Sequence, residues 1–146
     1  MGNNSGSEMK EVTEKALLGF ENVQDEYQQE LGSLRKECVD TDADLNDMRE
    51  FVEVASFFSE VKKIEDELSI IENRFHEEIQ EMQQYASFEN SKNHAVTFQN
   101  LMKLSSFVND RTQRDKDISD IKGSLKALKD SFPKLSESNK RALAVK

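Results

Sequence analysis

From Leu45 to Ala86 the chain places apolar residues at Leu45, Met48, Val52, Ala55, Phe58, Val61, Ile64, Leu68, Ile71, Phe75, Ile79, Met82 and Ala86. Steps of three and four put them all on one stripe of an α-helix, and Glu, Lys and Gln fill the other faces without a Gly or Pro. At about 1.5 Å per residue such a helix runs roughly 60 Å. That is too long for a compact domain of 146 residues. The stretch therefore predicts an all-α, elongated molecule closed along a seam.

Composition agrees. Apolar residues make up 36% and charged residues 34%, with no Trp and one Pro, too little apolar material for a thick core but enough for a seam between helices. The expected fold is an elongated antiparallel helical bundle or coiled coil of two to three long helices, in one domain.

Residues 1–7 are small, polar and uncharged and are expected to form a disordered N-terminal tail. The bundle is expected over 8–132, with acidic helices at 8–39 and 42–86 and a basic helix at 95–132; 133–146 is a short C-terminal tail. Ser7 is a suitable N-cap for the first helix, whose stripe is Leu17, Phe20, Val23, Tyr27, Leu31, Leu34 and Cys38. The run Asp40-Thr41-Asp42-Ala43-Asp44 favours a break, with a continuous helix as the alternative. Residues 87–94 lose the periodicity and read as a loop. The third helix carries Phe98, Leu101, Leu104, Val108, Ile118, Ile121, Leu125, Leu128 and Phe132; its stripe turns polar at Arg111 and Asp115, and Pro133 ends it.

In the central stretch Ala55, Phe58, Val61 and Ile64 follow one another in steps of three, which shifts the stripe around the helix. The run Phe51 to Phe58 is apolar on more than one face. It is either the place where another helix crosses or an aromatic docking patch. The residues expected to make protein contacts are Phe51, Phe57, Phe58, Ile64, Leu68, Ile71 and Phe75.

The formal net charge of −9 argues against a general nucleic-acid binder, which needs clustered Lys and Arg. The charge is unevenly spread. Residues 8–90 hold 23 Asp/Glu and 8 Lys/Arg, whereas residues 91–146 hold 6 and 12. Either the basic helix lies against the acidic ones, or Lys122, Lys126, Lys129 and Lys134 meet an anionic membrane surface, aided by a lipid on Gly2. The start Met1-Gly2 fits myristoylation except that position 6 is Gly6 rather than Ser or Thr.

Cys38 is the single cysteine and is expected to be a small core residue in a reducing compartment. Asp40, Asp42 and Asp44 resemble the start of a calcium loop, but the required Gly and Glu are replaced by Leu45 and Phe51. His76-Glu77 lacks the second zinc-binding His, its place being taken by Gln80, and His94 is the one other histidine. No nucleophile–base pattern or phosphate-binding loop is present, so neither catalysis nor a cofactor or metal is expected. No run of apolar residues is long enough for a membrane span, which makes the cytoplasm the expected location.

The eight residues Phe57-Phe58-Ser59-Glu60-Val61-Lys62-Lys63-Ile64 resemble the opening of the first helix in the N-terminal three-helix domain of syntaxins, which implies a regulatory three-helix module. The size and seam of the chain are similar to those of the small coiled-coil subunits of lysosome-related organelle complexes, some of which begin Met-Gly. Together these lines point to a helical adaptor or scaffold in a cytoplasmic trafficking or cytoskeletal complex. It would pair with other helical subunits or with itself through seam complementarity.

Overall fold

The computed structural model describes the backbone of residues 2–48, 54–86 and 94–133 and the side chains of residues 10–48, 54–86 and 98–133. The protein is an all-α helical bundle. Its helices are α1 (Gly2–Asp47), α2 (Val54–Tyr85), α3 (His94–Asn109) and α4 (Thr112–Asp130). The chain forms two compact units, one from Met1–Gln29 with Asn73–Arg114 and the other from Glu30–Glu72 with Asp115–Lys146. In each unit a length of α1, a length of α2 and a third helical segment pack side by side.

In the first unit the core is aromatic. Tyr27 and Phe75 lie with ring centroids 4.4 Å apart, Phe75 and Phe107 at 6.5 Å, and Phe107 and Phe20 at 5.8 Å. Ile79, Leu101 and Leu104 complete the buried set. Contacts of this kind add about 0.5–1.5 kcal/mol beyond the area they bury. Phe75 meets Phe107 while Tyr85 meets Lys103, so α2 and α3 run in opposite directions.

The second unit is aliphatic. Leu31, Leu34, Cys38 and Leu45 of α1 face Val61, Ile64, Leu68 and Ile71 of α2, with Ile118, Ile121, Leu125 and Leu128 of α4 closing the seam. Full burial of one such Leu or Ile stabilises by about 1.5–3 kcal/mol. Arg35 bonds to Ser69 and Glu72, while Cys38, farther along α1, feels the charge of Glu65, so α1 and α2 are antiparallel here.

The structure differs from the sequence expectation at four places. Helix α1 runs unbroken through Asp40–Asp44 to Asp47. Thr41 is the reason: it is fully buried, and the steps Leu34, Cys38, Thr41, Leu45 keep the seam going. Its hydroxyl donates to the Glu37 carbonyl at 2.6 Å, so burial costs no lost hydrogen bond. At the other end α1 already includes Gly2 to Ser7, because lengthening a formed helix needs no new nucleus.

In α2 the seam passes through buried Val54 and half-buried Phe57, while Ala55 is exposed. Through Val54, Phe57, Val61, Ile64, Leu68, Ile71 and Phe75 the steps alternate three and four, and the expected phase slip disappears. The helix expected over 95–132 is two helices, interrupted at Asp110 and Arg111. Counting back from Leu128 in alternating steps of three and four reaches Arg114 and Arg111 in succession. An unbroken helix would thus carry two arginines on the seam. The interruption leaves Arg111 exposed and Arg114 buried.

Candidate functional site

Burial sorts the residues expected to make protein contacts. Ile64, Leu68, Ile71 and Phe75 are core residues of the chain's own bundle. Phe57 is half-buried and packs edge-on against Phe132, with centroids 5.8 Å apart, and Phe58 is also half-buried. Phe51 lies outside the described residues. The apolar stripe of α2 is therefore occupied within the chain. A docking surface has to be sought elsewhere.

Of the expected anionic-surface contacts, Lys122 and Lys126 are exposed one turn apart on α4, and Lys134 lies outside the described residues. Lys129 stands 3.7 Å from the Glu37 carboxylate, an exposed pair worth at most about 1 kcal/mol. The α4 sequence sets Arg114, Lys116, Lys122, Lys126 and Lys129 against Asp115, Asp117, Asp120 and Asp130, close to balance. Gly2 opens α1, ahead of the residues whose side chains are described.

Polar groups at the seams are held by the fold. Arg35 bridges from α1 to α2, bonding to the Ser69 hydroxyl at 3.0 Å and to the Glu72 carboxylate. Cys38 is fully buried; burial, then the carboxylate of Glu65, pushes its thiol pKa up, with Arg35 pulling it the other way. Arg114 is 8% exposed and donates to the carbonyls of Phe107 at 2.7 Å and Val108 at 3.4 Å, with its guanidinium carbon 4.6 Å from the Phe107 ring centroid. It covers carbonyls at the end of α3 that have no intrahelical partner. At the surface, Lys103 donates to the Tyr85 hydroxyl at 2.9 Å and lies 4.4 Å from the ring centroid. That bond raises the Lys103 pKa.

Among the described residues no three His, Cys, Asp or Glu side chains are grouped to hold a metal ion. His76 faces Gln80, the residue that replaces the second zinc-site histidine, at 3.1 Å. No helix of the described residues is long and apolar enough to cross a membrane.

Among the described residues the large apolar side chains left exposed are Val12, Leu18 and Val39 on α1, Ile70 on α2, and Phe98 and Met102 on α3. Only Phe98 and Met102 of these stand one helical turn apart, at 57% and 55% exposure. Periodicity from the N-terminal side places Phe98 on the seam, which is where the sequence misleads. The buried residues of α3 are Leu101, Leu104 and Phe107, spaced three apart. Each step of three turns about 60° short of a full helical turn, so Phe98, a further three residues back, has drifted off the seam. Gln99, Lys103, Ser106 and Asn109 share the outer side with the pair, and α3 contains no Asp or Glu along its whole length.

No family model, curated protein or solved structure matches this chain. The carboxylate-free face of α3 is the candidate site on its chemistry alone. It offers an aromatic ring, a thioether, neutral polar side chains and the Lys103 ammonium. Such a surface suits another apolar helix face better than an ion or a metabolite.

Proposed function

We propose that this chain is a non-enzymatic helical adaptor or scaffold subunit, working in the cytoplasm in a trafficking or cytoskeletal assembly with other helical subunits or with copies of itself. The observation that carries this reading is the Phe98–Met102 pair: the core stripes are filled within the chain, yet α3 holds two large apolar side chains in water. Each exposed apolar side chain covered by a partner returns free energy in proportion to the area removed from water, about 25 cal/mol per Å². Acidic α1 and α2 would set orientation and reject like-charged partners.

A membrane-surface role for α4 is the weaker reading. Lys129 is already engaged by Glu37, and four aspartates on α4 offset most of its positive charge. The two readings separate experimentally. Proteins captured from extract by the wild type should be lost with Phe98→Ser/Met102→Ser and kept with Ile70→Ser, another exposed apolar site. Capture that survives the double substitution removes α3 as the docking face. Co-sedimentation with anionic vesicles at low salt, abolished by Lys122→Glu/Lys126→Glu, would instead establish the membrane role.

A further inference from the structure

We infer that Met102 is a redox switch: a peroxide converts its thioether to the sulfoxide on the folded chain, and this turns off the α3 face until a methionine sulfoxide reductase reverses it. The inference rests on the assembly reading and adds the regulation of that face.

Accessibility singles the residue out. The chain has one cysteine and five methionines: Met1, Met9, Met48, Met82 and Met102. The side chains of Met1 and Met9 lie outside the described residues. Cys38 is fully buried and Met48 and Met82 are half-buried, whereas Met102 is 55% exposed. Exposure ranks these sulfurs for attack from water, and Met102 comes first.

The reaction balances with hydrogen peroxide alone. A lone pair on the Met102 sulfur attacks one peroxide oxygen, and the O–O bond breaks. The hydroxide released takes the proton from the transferred oxygen and leaves as water. Sulfur gives up two electrons, and the peroxide is reduced.

Position decides what the change does. A sulfoxide in a core disrupts packing. Met102, however, stands outside the buried set Leu101, Leu104 and Phe107, so the bundle keeps its contacts and only the surface changes. On that surface it is one of two large apolar side chains, one turn from Phe98. A sulfoxide oxygen is a hydrogen-bond acceptor, and an apolar partner face laid over it leaves it without a donor. The partner also shields the sulfur once it is bound. The oxidant therefore acts on free chains and spares assembled ones.

Two readouts on the full chain test this. Met48, Met82 and Met102 fall on separate tryptic peptides, 37–49, 75–92 and 93–103. After timed exposure to hydrogen peroxide, mass spectrometry should find the added oxygen on 93–103 several-fold sooner than on the other two. In denaturant the three rates should converge. Equal rates in the folded protein overturn the site.

The second readout is capture from a desalted extract. Oxidised wild type should lose the proteins that the reduced chain retains, with helicity unchanged. It should regain them after treatment with both methionine sulfoxide reductases, one for each epimer. Met102→Leu stays apolar and should keep its capture through the same exposure. Met102→Gln is polar without oxidation and should lose it. Loss in oxidised Met102→Leu would place the effect at another residue and overturn the switch. Capture by oxidised wild type or by Met102→Gln, beside its loss in Phe98→Ser/Met102→Ser, also overturns the switch but leaves the assembly reading standing. Capture that survives the double substitution, or that reduced wild type never shows, removes α3 as the docking face and the switch with it.

Discussion

Cys38 has every neighbour it needs to stay a thiol. It is fully buried, and burial raises its pKa above the ordinary 9.0, helped by Glu65 and Glu37 and opposed by Arg35 and Lys129. The sign for stability follows from proton binding. Below pH about 9 the thiol is neutral in both states, and its contribution is whole. As pH rises past the unfolded value the unfolded chain ionises first, and stability falls until the folded thiol titrates too. Cys38→Ala should thus lose stability relative to wild type at pH 7, and the gap should narrow steadily above pH 9 in denaturant melts. A gap independent of pH would show the thiol ionising equally in both states. Arg114 makes the second residue-scale case. Arg114→Ala strips the buried Phe107 carbonyl of its donor and should cost about 1–3 kcal/mol. Arg114→Lys should recover little, since a point charge neither forks between two carbonyls nor stacks on Phe107. Loss below a few tenths of a kcal/mol for Arg114→Ala would show the carbonyl finding water instead. The burial of Cys38 was legible in the sequence because spacing alone decides it. That of Arg114 was not: a charged residue carries no apolar signal, and its place depends on a helix end that spacing does not mark.

At the scale of the helices, periodicity located what the seam governs and missed what single backbone positions govern. The stripe from Val61 to Ile79 and the aliphatic set from Ile118 to Leu128 stand where the three-four spacing puts them. The interruption at Asp110–Arg111 has no Gly or Pro to announce it; it follows from keeping a second arginine off the seam. Likewise the aspartates after Val39 suggest a cap, but buried Thr41 and Leu45 hold α1 together across them. Phe98 was misplaced because the buried residues of α3, Leu101, Leu104 and Phe107, step by three and so drift around the helix, which carries the next position back off the seam. Glycines inside helices yield a direct prediction. A Cβ on Gly32 of α1 or Gly123 of α4 meets nothing within 4 Å, and both positions are exposed. Alanine there should stabilise by about 0.5–1 kcal/mol each through the lower backbone entropy of the unfolded chain. Together they should raise Tm by about 2–8 °C in a thermal melt. A Tm lowered by Gly32→Ala alone would mean that another helix approaches α1 at that point in the folded protein.

Across the whole molecule, charge rather than packing sets how the protein answers its solvent. Residues 8–90 carry 15 more negative than positive charges and residues 91–146 six more positive than negative. Two long-range forces compete. Attraction between the acidic and basic parts favours the fold, and repulsion within the acidic part opposes it. Repulsion within a segment grows roughly as the square of its net charge, and attraction as the product of the two net charges. With the acidic excess more than twice the basic one, repulsion is the larger. The close pairs modify this little, since Lys129–Glu37 is exposed at 3.7 Å and Arg35–Glu72 is half-exposed, each the kind of pair that salt readily screens. Raising NaCl from about 10 mM to about 500 mM shortens the Debye length from roughly 30 Å to a few Å. Repulsion spread over a helix is lost with it. Tm should therefore rise with salt, most steeply below about 150 mM where screening changes fastest. A Tm that falls over that range would show that the acidic–basic attraction dominates. Substituting Lys122 and Lys126 by Gln removes two positive charges and takes the net charge from −9 to −11, so in the repulsion-dominated balance it should lower Tm at low salt and leave it nearly unchanged at high salt, where the added repulsion is screened.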